Sequence, residues 1–291
     1  MQDFDAVYKN YRSFLFSIAY QMLGTISDAE DVIHDVFHLL QHKANLDQVK
    51  DLKAYLAKMT TNRCLNLLRS ARKRREVYTG EWLPEPQVSH FDTPADKVMT
   101  GEAVSYAFLV MLDLLSPLER AVFILREALE FSYDDIAPII EKTESNTRKI
   151  YSRAKQKLQK DIPAHPQRSE QVDLLADAFL KAASTGQFTE LIDLLTEDVV
   201  LVSDGGGKVR AAIQPIVSKT RVAAFLTGIS GKGSFLGEIY PVMVNGQKGV
   251  LQVLEGKPKK VICFEGSADR GLIQTIFIML NPDKLKHVVT P

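Results

Sequence analysis

The sequence predicts a multidomain protein in which two all-α segments, the second carrying a helix-turn-helix, precede an α+β domain. Three observations predict this. The 291 residues exceed the roughly 150 expected of one domain. Only Gly24, Gly80 and Gly101 precede residue 169, and the other 13 of the 16 glycines follow it. Glycine is costly within helices and useful in turns, so the first half reads as helical and the second as strands joined by turns. Prolines mark the joins, in Trp82-Leu83-Pro84-Glu85-Pro86 and at Pro163 and Pro166, because proline removes a donor and favours extended backbone before it. The expected divisions are a helical segment 1–76, a linker 77–100, a second helical segment 101–162 and an α+β segment 169–291.

In the first segment, Phe4, Val7, Tyr11, Leu15, Ile18, Ala19 and Met22 recur at helical spacing. Ser27-Asp28-Ala29-Glu30 has the form of a capping box opening a helix with Val32, Ile33, Val36, Phe37 and Leu40 inward. A basic helix then covers residues 55–75. His34, His38 and His42 stand four apart; that spacing fits a metal, but beside Asp31 and Asp35 it reads as a solvated helix face, and no metal or cofactor is expected.

Residues 116–158 are read most directly. Ser116-Pro117-Leu118-Glu119 combines a capping box with proline at the first helical position. Ser132-Tyr133-Asp134-Asp135 repeats the cap with Asp in place of Glu and opens a short helix bearing Ile136, Ile139 and Ile140, interrupted by Pro138. Glu141-Lys142 forms the turn, where glycine would be easier, and a third helix begins at Thr143-Glu144. It carries Thr147, Ile150, Ala154 and Leu158 inward and Asn146, Arg148, Lys149, Ser152, Arg153 and Lys155 outward. A short helix, a tight turn and a longer helix, apolar inside and basic outside, is the helix-turn-helix arrangement, whose second helix reads base edges in the major groove with Arg, Lys and Asn.

The C-terminal segment begins with two amphipathic helices within 169–196 (Leu174, Leu175, Ala178, Phe179; then Leu191, Ile192, Leu194, Leu195), followed by a strand at Val199–Val202 and a helix over 219–227. Strands are expected at 235–244, 248–254, 259–267 and 272–280, with Asn245-Gly246 as a two-residue hairpin turn. Helices followed by a curved antiparallel sheet is the order of a cone-shaped NTF2-like domain with an apolar pocket.

Charge points to function. Lys+Arg and Asp+Glu are both 36, yet residues 50–75 carry nine bases and one acid, residues 142–160 seven bases and one acid, and residues 1–37 two bases and six acids. Two basic stretches on helices are the electrostatic footprint of a nucleic-acid binder. With 45% hydrophobic and 25% charged residues, composition excludes a disordered or collagen-like chain. Cys64 and Cys263 are too few for a disulfide framework. The start Met1-Gln2-Asp3-Phe4-Asp5 lacks the pattern of a signal peptide, and no apolar run approaches the ~20 residues that cross a bilayer, so a cytoplasmic protein without membrane partner is expected. An enzyme in the C-terminal pocket would need a tuned acid or base; after residue 169 the sequence offers His287 in the tail, Tyr240, and Asp204 in what reads as a glycine loop, so catalysis is not expected.

The Asp28-Ala29-Glu30-Asp31 helix, Ala54-Tyr55-Leu56, Asn62 and Leu68-Arg69-Ser70-Ala71-Arg72 resemble region two of extracytoplasmic-function (ECF) sigma factors, and residues 116–158 resemble their region four. Trp82-Leu83-Pro84-Glu85-Pro86, Asp204-Gly205-Gly206-Gly207-Lys208 and Asn281-Pro282-Asp283-Lys284-Leu285 resemble three motifs of the SigJ-like subfamily, whose members add a C-terminal domain similar to SnoaL and NTF2. The resemblance implies a non-enzymatic initiation factor, monomeric when free. Asp28, Asp31 and Asp35 would dock on core RNA polymerase, and Lys58, Asn62, Arg63, Asn66, Arg69 and Arg72 would hold the single-stranded minus-ten element. Asn146, Arg148, Lys149, Ser152, Arg153 and Lys155 would read the duplex minus-thirty-five element. Trp82 and Pro84 would pack on the C-terminal domain near Asp204, Gly205, Gly206, Gly207, Lys208, Asn281, Pro282 and Asp283, tuning activity in cis. The rivals are a helix-turn-helix regulator with a ligand-sensing domain, and an NTF2-like enzyme fused to a DNA-binding region.

Overall fold

A computed structural model describes residues 4–42, 49, 51–75, 78–90, 104–158, 170–267 and 271–291, with the side chains of 71–75, 170 and 171 excepted. The chain forms two compact units. One comprises Met1–Glu76, Gly101–Val104 and Phe108–His165; the other comprises Val77–Thr100, Ser105–Ala107 and Pro166–Pro291.

The first unit is helical: α1 Phe4–Leu23, α2 Ile26–Gln41, α3 Leu52–Arg75, α4 Tyr106–Leu112 (from Phe108 onward), α5 Pro117–Phe123, α6 Tyr133–Ile139 and α7 Glu144–Leu158. Both helical stretches share one apolar core, in which Leu15, Ile18, Leu40, Leu56, Leu112, Val122, Ile124 and Ile136 are almost completely buried. Helix α2 begins two residues earlier than expected. Its N-cap is Thr25, whose hydroxyl donates to Asp28 Oδ2 at 2.6 Å, and Ser27 lies exposed within the first turn. Both later capping boxes form as read, Ser116 with Glu119 and Ser132 with Asp135. The helix opened by Ser116 does not run evenly to Leu129; α5 passes at Ile124–Ala128 into a π-helical turn.

The second unit holds α8 Glu170–Thr185, α9 Thr189–Asp193 and α10 Lys219–Gly231 against a sheet of seven strands. The strands are β1 Val88–Ser89, β2 Leu195–Asp204, β3 Ile216–Val217, β4 Glu238–Val244, β5 Gln247–Leu254, β6 Lys257–Gly266 and β7 Ile273–Met279, in the spatial order β1-β4-β5-β6-β7-β2-β3. This is the expected helices-then-sheet order of an NTF2-like unit, with corrections. The sheet is not wholly antiparallel, because β2 runs parallel to β7. Strand β2, expected at Val199–Val202, spans ten residues and absorbs Leu195. Leu174, expected inward, is 66% exposed. Asn245 and Gly246 take positive φ, 51° and 77°, as a type I′ hairpin requires. Glu255 and Gly256 do the same between β5 and β6, a turn the sequence reading passed over.

The core of this unit gathers Phe179, Phe188, Phe235 and Phe264 with Val250, Ile262, Ile273 and Ile276. Two polar residues share it. Gln252 Nε2 donates to the carbonyls of Ser234 (3.1 Å) and Leu236 (2.5 Å). Lys260, 6% exposed, donates to the Ser234 carbonyl and to Ser234 Oγ (2.8 Å), and its ammonium sits 4.7 Å from the Phe235 ring centroid. Burial pulls the Lys260 pKa from 10.5 down to about 8.

Two outcomes follow. Leu112, fully buried, leaves a cavity on Leu112→Ala, and the first unit should lose about 2–5 kcal/mol in urea unfolding followed by circular dichroism. For Lys260 the folded state releases its proton more readily than the unfolded chain. Stability should therefore rise between pH 8 and 9.5, where the unfolded chain binds more protons, and Lys260→Met should flatten that rise in melting curves taken across the range.

Candidate nucleic-acid interface

Helix α3 buries Leu56, Ala57, Cys64, Leu65 and Leu68 and turns the complementary face outward. Asn66 and Arg69 on that face are exposed, Lys58 and Asn62 half-buried. Arg72 lies outside the described side chains. Arg63 has a partner of its own: its Nε and terminal nitrogen both donate to Asp35 Oδ2, at 3.0 and 2.5 Å. A side chain assigned to DNA and a carboxylate assigned to polymerase are thus paired with each other. Asp28 and Asp31 are exposed on α2.

Asn62, Leu65, Asn66, Leu68 and Arg69 line a groove of about 730 Å³ whose other wall is Ser116–Leu118 at the start of α5 and Ile140–Lys142 in the helix-turn-helix turn. Lys58 and Glu141 approach to 3.7 Å across the same helices. The groove's floor is leucine and isoleucine, and its rim carries the Asn62 and Asn66 amides, the Arg69 guanidinium, the Lys142 ammonium and the Glu141 carboxylate.

The helix-turn-helix has the predicted geometry. Glu141 takes φ 57°, the left-handed conformation a non-glycine residue adopts at some cost. Thr143 Oγ1 accepts from the Asn146 N–H at 3.3 Å. On α7, Thr147, Ile150, Ala154 and Leu158 are buried, and Asn146, Arg148, Lys149, Ser152, Arg153 and Lys155 are all exposed on the opposite side. Arg148 is engaged within the chain, since its Nε donates to Glu144 Oε1 at 2.8 Å. Pro138, which has no N–H to donate to the preceding turn, lies on the exposed side of α6.

In the second unit the linker and C-terminal motifs meet at Asp204. Sequence reading put Asp204 in a loop; it closes β2 and is completely buried. Its Oδ1 accepts from Tyr78 Oη (2.6 Å) and the Gly206 N–H (2.9 Å), and its Oδ2 from the Leu83 N–H (2.9 Å) and Lys284 Nζ (2.7 Å). Lys284 also donates to the Leu83 carbonyl at 2.5 Å and lies 4.1 Å from the Trp82 ring centroid. Burial and the Asp204 carboxylate raise the Tyr78 pKa above its ordinary value. Asn281 Nδ2 donates to Tyr78 Oη at 2.8 Å, and Pro282 begins the turn that carries Lys284 inward. Gly206, at φ 61°, lies against the Asn281 amide with no room for a side chain; Gly205 and Gly207 flank it. Lys208 pairs with Asp283, which Lys208 and Lys286 together hold down at about 2. Pro84 is buried and its carbonyl accepts from Tyr106 Oη at 2.8 Å. Trp82 is only half-buried, whereas Leu83 is 1% exposed. Tyr78, Leu83 and Lys284 carry the contact and were missed as individuals. Lys284 reads as a surface lysine until its turn is folded, and Tyr78 stands alone in sequence.

Residues 7–74 match the family Sigma-70 region 2, and residues 105–158 match Sigma-70, region 4. Over 292 residues the chain is 30% identical to the ECF RNA polymerase sigma factor SigJ of Mycobacterium tuberculosis (strain ATCC 25618 / H37Rv), covering 94% of this chain and 90% of the relative. The chain belongs to the ECF RNA polymerase sigma factors. A probable ECF RNA polymerase sigma factor SigI of Mycobacterium tuberculosis (strain CDC 1551 / Oshkosh) is 32% identical over 197 residues, 67% of each chain. The crystal structure of Mycobacterium tuberculosis SigJ superposes with a TM-score of 0.78 over 97% of this chain and 98% of that one, at 24% identity, so the fold is shared. A sigma factor binds core RNA polymerase and promoter DNA to start transcription and is not an enzyme. Among the described residues no helix is long and apolar enough to cross a membrane, and His34, His38 and His42 stand exposed on α2.

Removing one member of a buried ion pair leaves the other uncompensated. Lys284→Ala in this sigma factor should cost the second unit about 3–5 kcal/mol and change the emission of Trp82, the single tryptophan, both read in one fluorescence-monitored urea titration.

Proposed function

We propose that this cytoplasmic sigma factor, a monomer when free, holds its promoter through two separate cationic faces and is tuned in cis by its C-terminal unit. Segments 1–76 and 101–162 act as separable modules joined by 77–100, ahead of the regulatory domain 169–291. Asp28, Asp31 and Asp35 dock on core polymerase. Lys58, Asn62, Arg63, Asn66, Arg69 and Arg72 track the single-stranded minus-ten element, and the exposed face of α7, Asn146 to Lys155, reads the duplex minus-thirty-five element.

The observation that carries this reading is the groove shared by α3 and the helix-turn-helix turn. Its amide and guanidinium rim suits the backbone of single-stranded DNA, and it lies between α3 and the turn that leads into α7, so a strand held there parts α3 from that turn. The 3.7 Å, solvent-exposed Lys58–Glu141 pair is of the kind that contributes little to stability and opposes parting weakly. The Arg63–Asp35 pair likewise exchanges when polymerase takes the carboxylate and DNA the guanidinium. The linker segment 78–90, fastened around Asp204, gives the C-terminal unit its hold on the connection between the two modules.

Run-off transcription from fragmented genomic DNA with sigma-free core polymerase tests the proposal. The wild-type chain should give discrete transcripts, and Lys149→Ala should weaken minus-thirty-five-dependent initiation by ~1–3 kcal/mol where the contact is to a base edge. Lys284→Ala should change the transcript yield, with the direction giving the sign of cis control. Equal yield from wild type and Lys284→Ala on every responsive promoter would remove the regulatory role of the clasp, and unchanged initiation by Lys149→Ala would remove Lys149 from the reading set.

A further inference from the structure

Tyr133 opens α6, the first helix of the helix-turn-helix, directly after the cap Ser132. That cap is triply bonded: Ser132 Oγ and the Ser132 N–H donate to Asp135 Oδ2 at 2.6 and 3.3 Å, and the Asp135 N–H donates to Ser132 Oγ at 3.2 Å. Over the Tyr133 ring lies Arg148 of α7, its guanidinium carbon 4.4 Å from the ring centroid. Arg126 shares the ring at 4.8 Å and is tied down by donating to the Phe131 carbonyl at 2.9 Å. Tyr151, one turn beyond Arg148, meets Tyr133 edge-on at 5.8 Å and stacks on Phe123 at 6.1 Å. The Tyr151 hydroxyl donates to Glu127. The ring is therefore held on two sides by groups that are themselves anchored.

An arginine side chain loses rotamer entropy on binding, and a fork already oriented loses less of it. Glu144, one turn before Arg148, accepts from its Nε and terminal nitrogen, which sets the plane of the fork. The arrangement is a guanidinium stacked on a fixed aromatic face and levelled by a carboxylate, displayed on the exposed side of α7.

We propose that Tyr133 is a positioning residue for Arg148, a platform that presents its guanidinium to one base of the minus-thirty-five element. This rests on the assignment of Arg148 to base reading made above. Tyr133 itself touches no DNA in this scheme; it acts through the orientation of Arg148. Glu144 yields its two hydrogen bonds to the base edge while the stacking on Tyr133 persists.

The test uses full-length protein with core polymerase on a promoter panel in which each minus-thirty-five position is changed in turn. Wild type is compared with Arg148→Ala, Tyr133→Phe, Tyr133→Leu, Tyr133→Ala and the double variant Tyr133→Ala/Arg148→Ala. Arg148→Ala should relax preference at one position. Tyr133→Ala and Tyr133→Leu should relax it at the same position, by about two- to fivefold for an exposed cation–π contact. Tyr133→Phe, which keeps the aromatic face, should restore it, and the double variant should be no worse than Arg148→Ala. Tyr133→Leu preserves apolar bulk and decides the matter if the alanine variant melts early. Wild-type preference in Tyr133→Leu at the position that Arg148→Ala relaxes would overturn the platform alone. Unchanged preference at every position in Arg148→Ala would overturn the base-reading assignment and the platform with it. Uniform loss across all positions in both tyrosine variants would show a structural role and overturn the proposal.

Discussion

Asp204 is a carboxylate with no access to water, and the arrangement of the second unit follows from the need to satisfy it. A buried unpaired carboxylate is strongly unfavourable, so its two oxygens draw donors from three separate stretches. Tyr78 and the Leu83 N–H come from the segment before the helix-turn-helix, Gly206 from the turn that follows β2, and Lys284 from the C-terminal turn. The backbone carbonyl of Asp204 takes the N–H groups of Leu280 and Asn281 as well. Gly206 stays small because Asn281 occupies the space a side chain would need. The three short motifs are thus one structure, a single ionic node with its ligands. Segment 78–90 continues along the sheet as β1, where the Gln87 N–H and carbonyl bond the Asn245 side chain and backbone at 3.1 and 2.9 Å, and so makes an edge strand of what reads as linker.

The first unit solves a different problem. Its two cationic faces repel like charge and attract phosphate, and in the free protein their arginines bind nearby carboxylates. Arg63 holds Asp35 and Arg148 holds Glu144. Such exposed pairs are worth little, so they oppose the proposed exchange of a carboxylate for a phosphate or base edge only weakly. Sequence charge counts find the faces. They do not find the Arg63–Asp35 pair, because it depends on which helix lies alongside, whereas Arg148 and Glu144 stand four residues apart on one helix.

Local chemistry made much of this chain legible. The caps at Ser116 and Ser132, the turn at Glu141, the buried face of α7 and the Asn245-Gly246 hairpin all follow from interactions within about five residues, and all formed as read. Where the reading slipped, competition between local options decided. Thr25 and Ser27 both qualify as N-caps, and Thr25 prevails with Asp28 accepting its hydroxyl. Leu174 fits either face of an amphipathic α8, and the helix rotates it to solvent. The sheet was expected to be antiparallel, but the strand that follows the helical pair can pair with either neighbour, and β2 joins β7 in parallel.

The sequence by itself determined the order of the elements, the helix-turn-helix, the two basic faces and the resemblance to ECF sigma factors, because periodicity, caps, turns and charge are short-range and additive along the chain. Tertiary structure alone decided what Asp204, Lys284, Tyr78 and Leu83 do, and that Lys260 loses affinity for its proton. Each of those depends on removing a charge from water and on partners brought from as far as 203 residues away, and desolvation is a property of the folded neighbourhood rather than of any stretch of sequence.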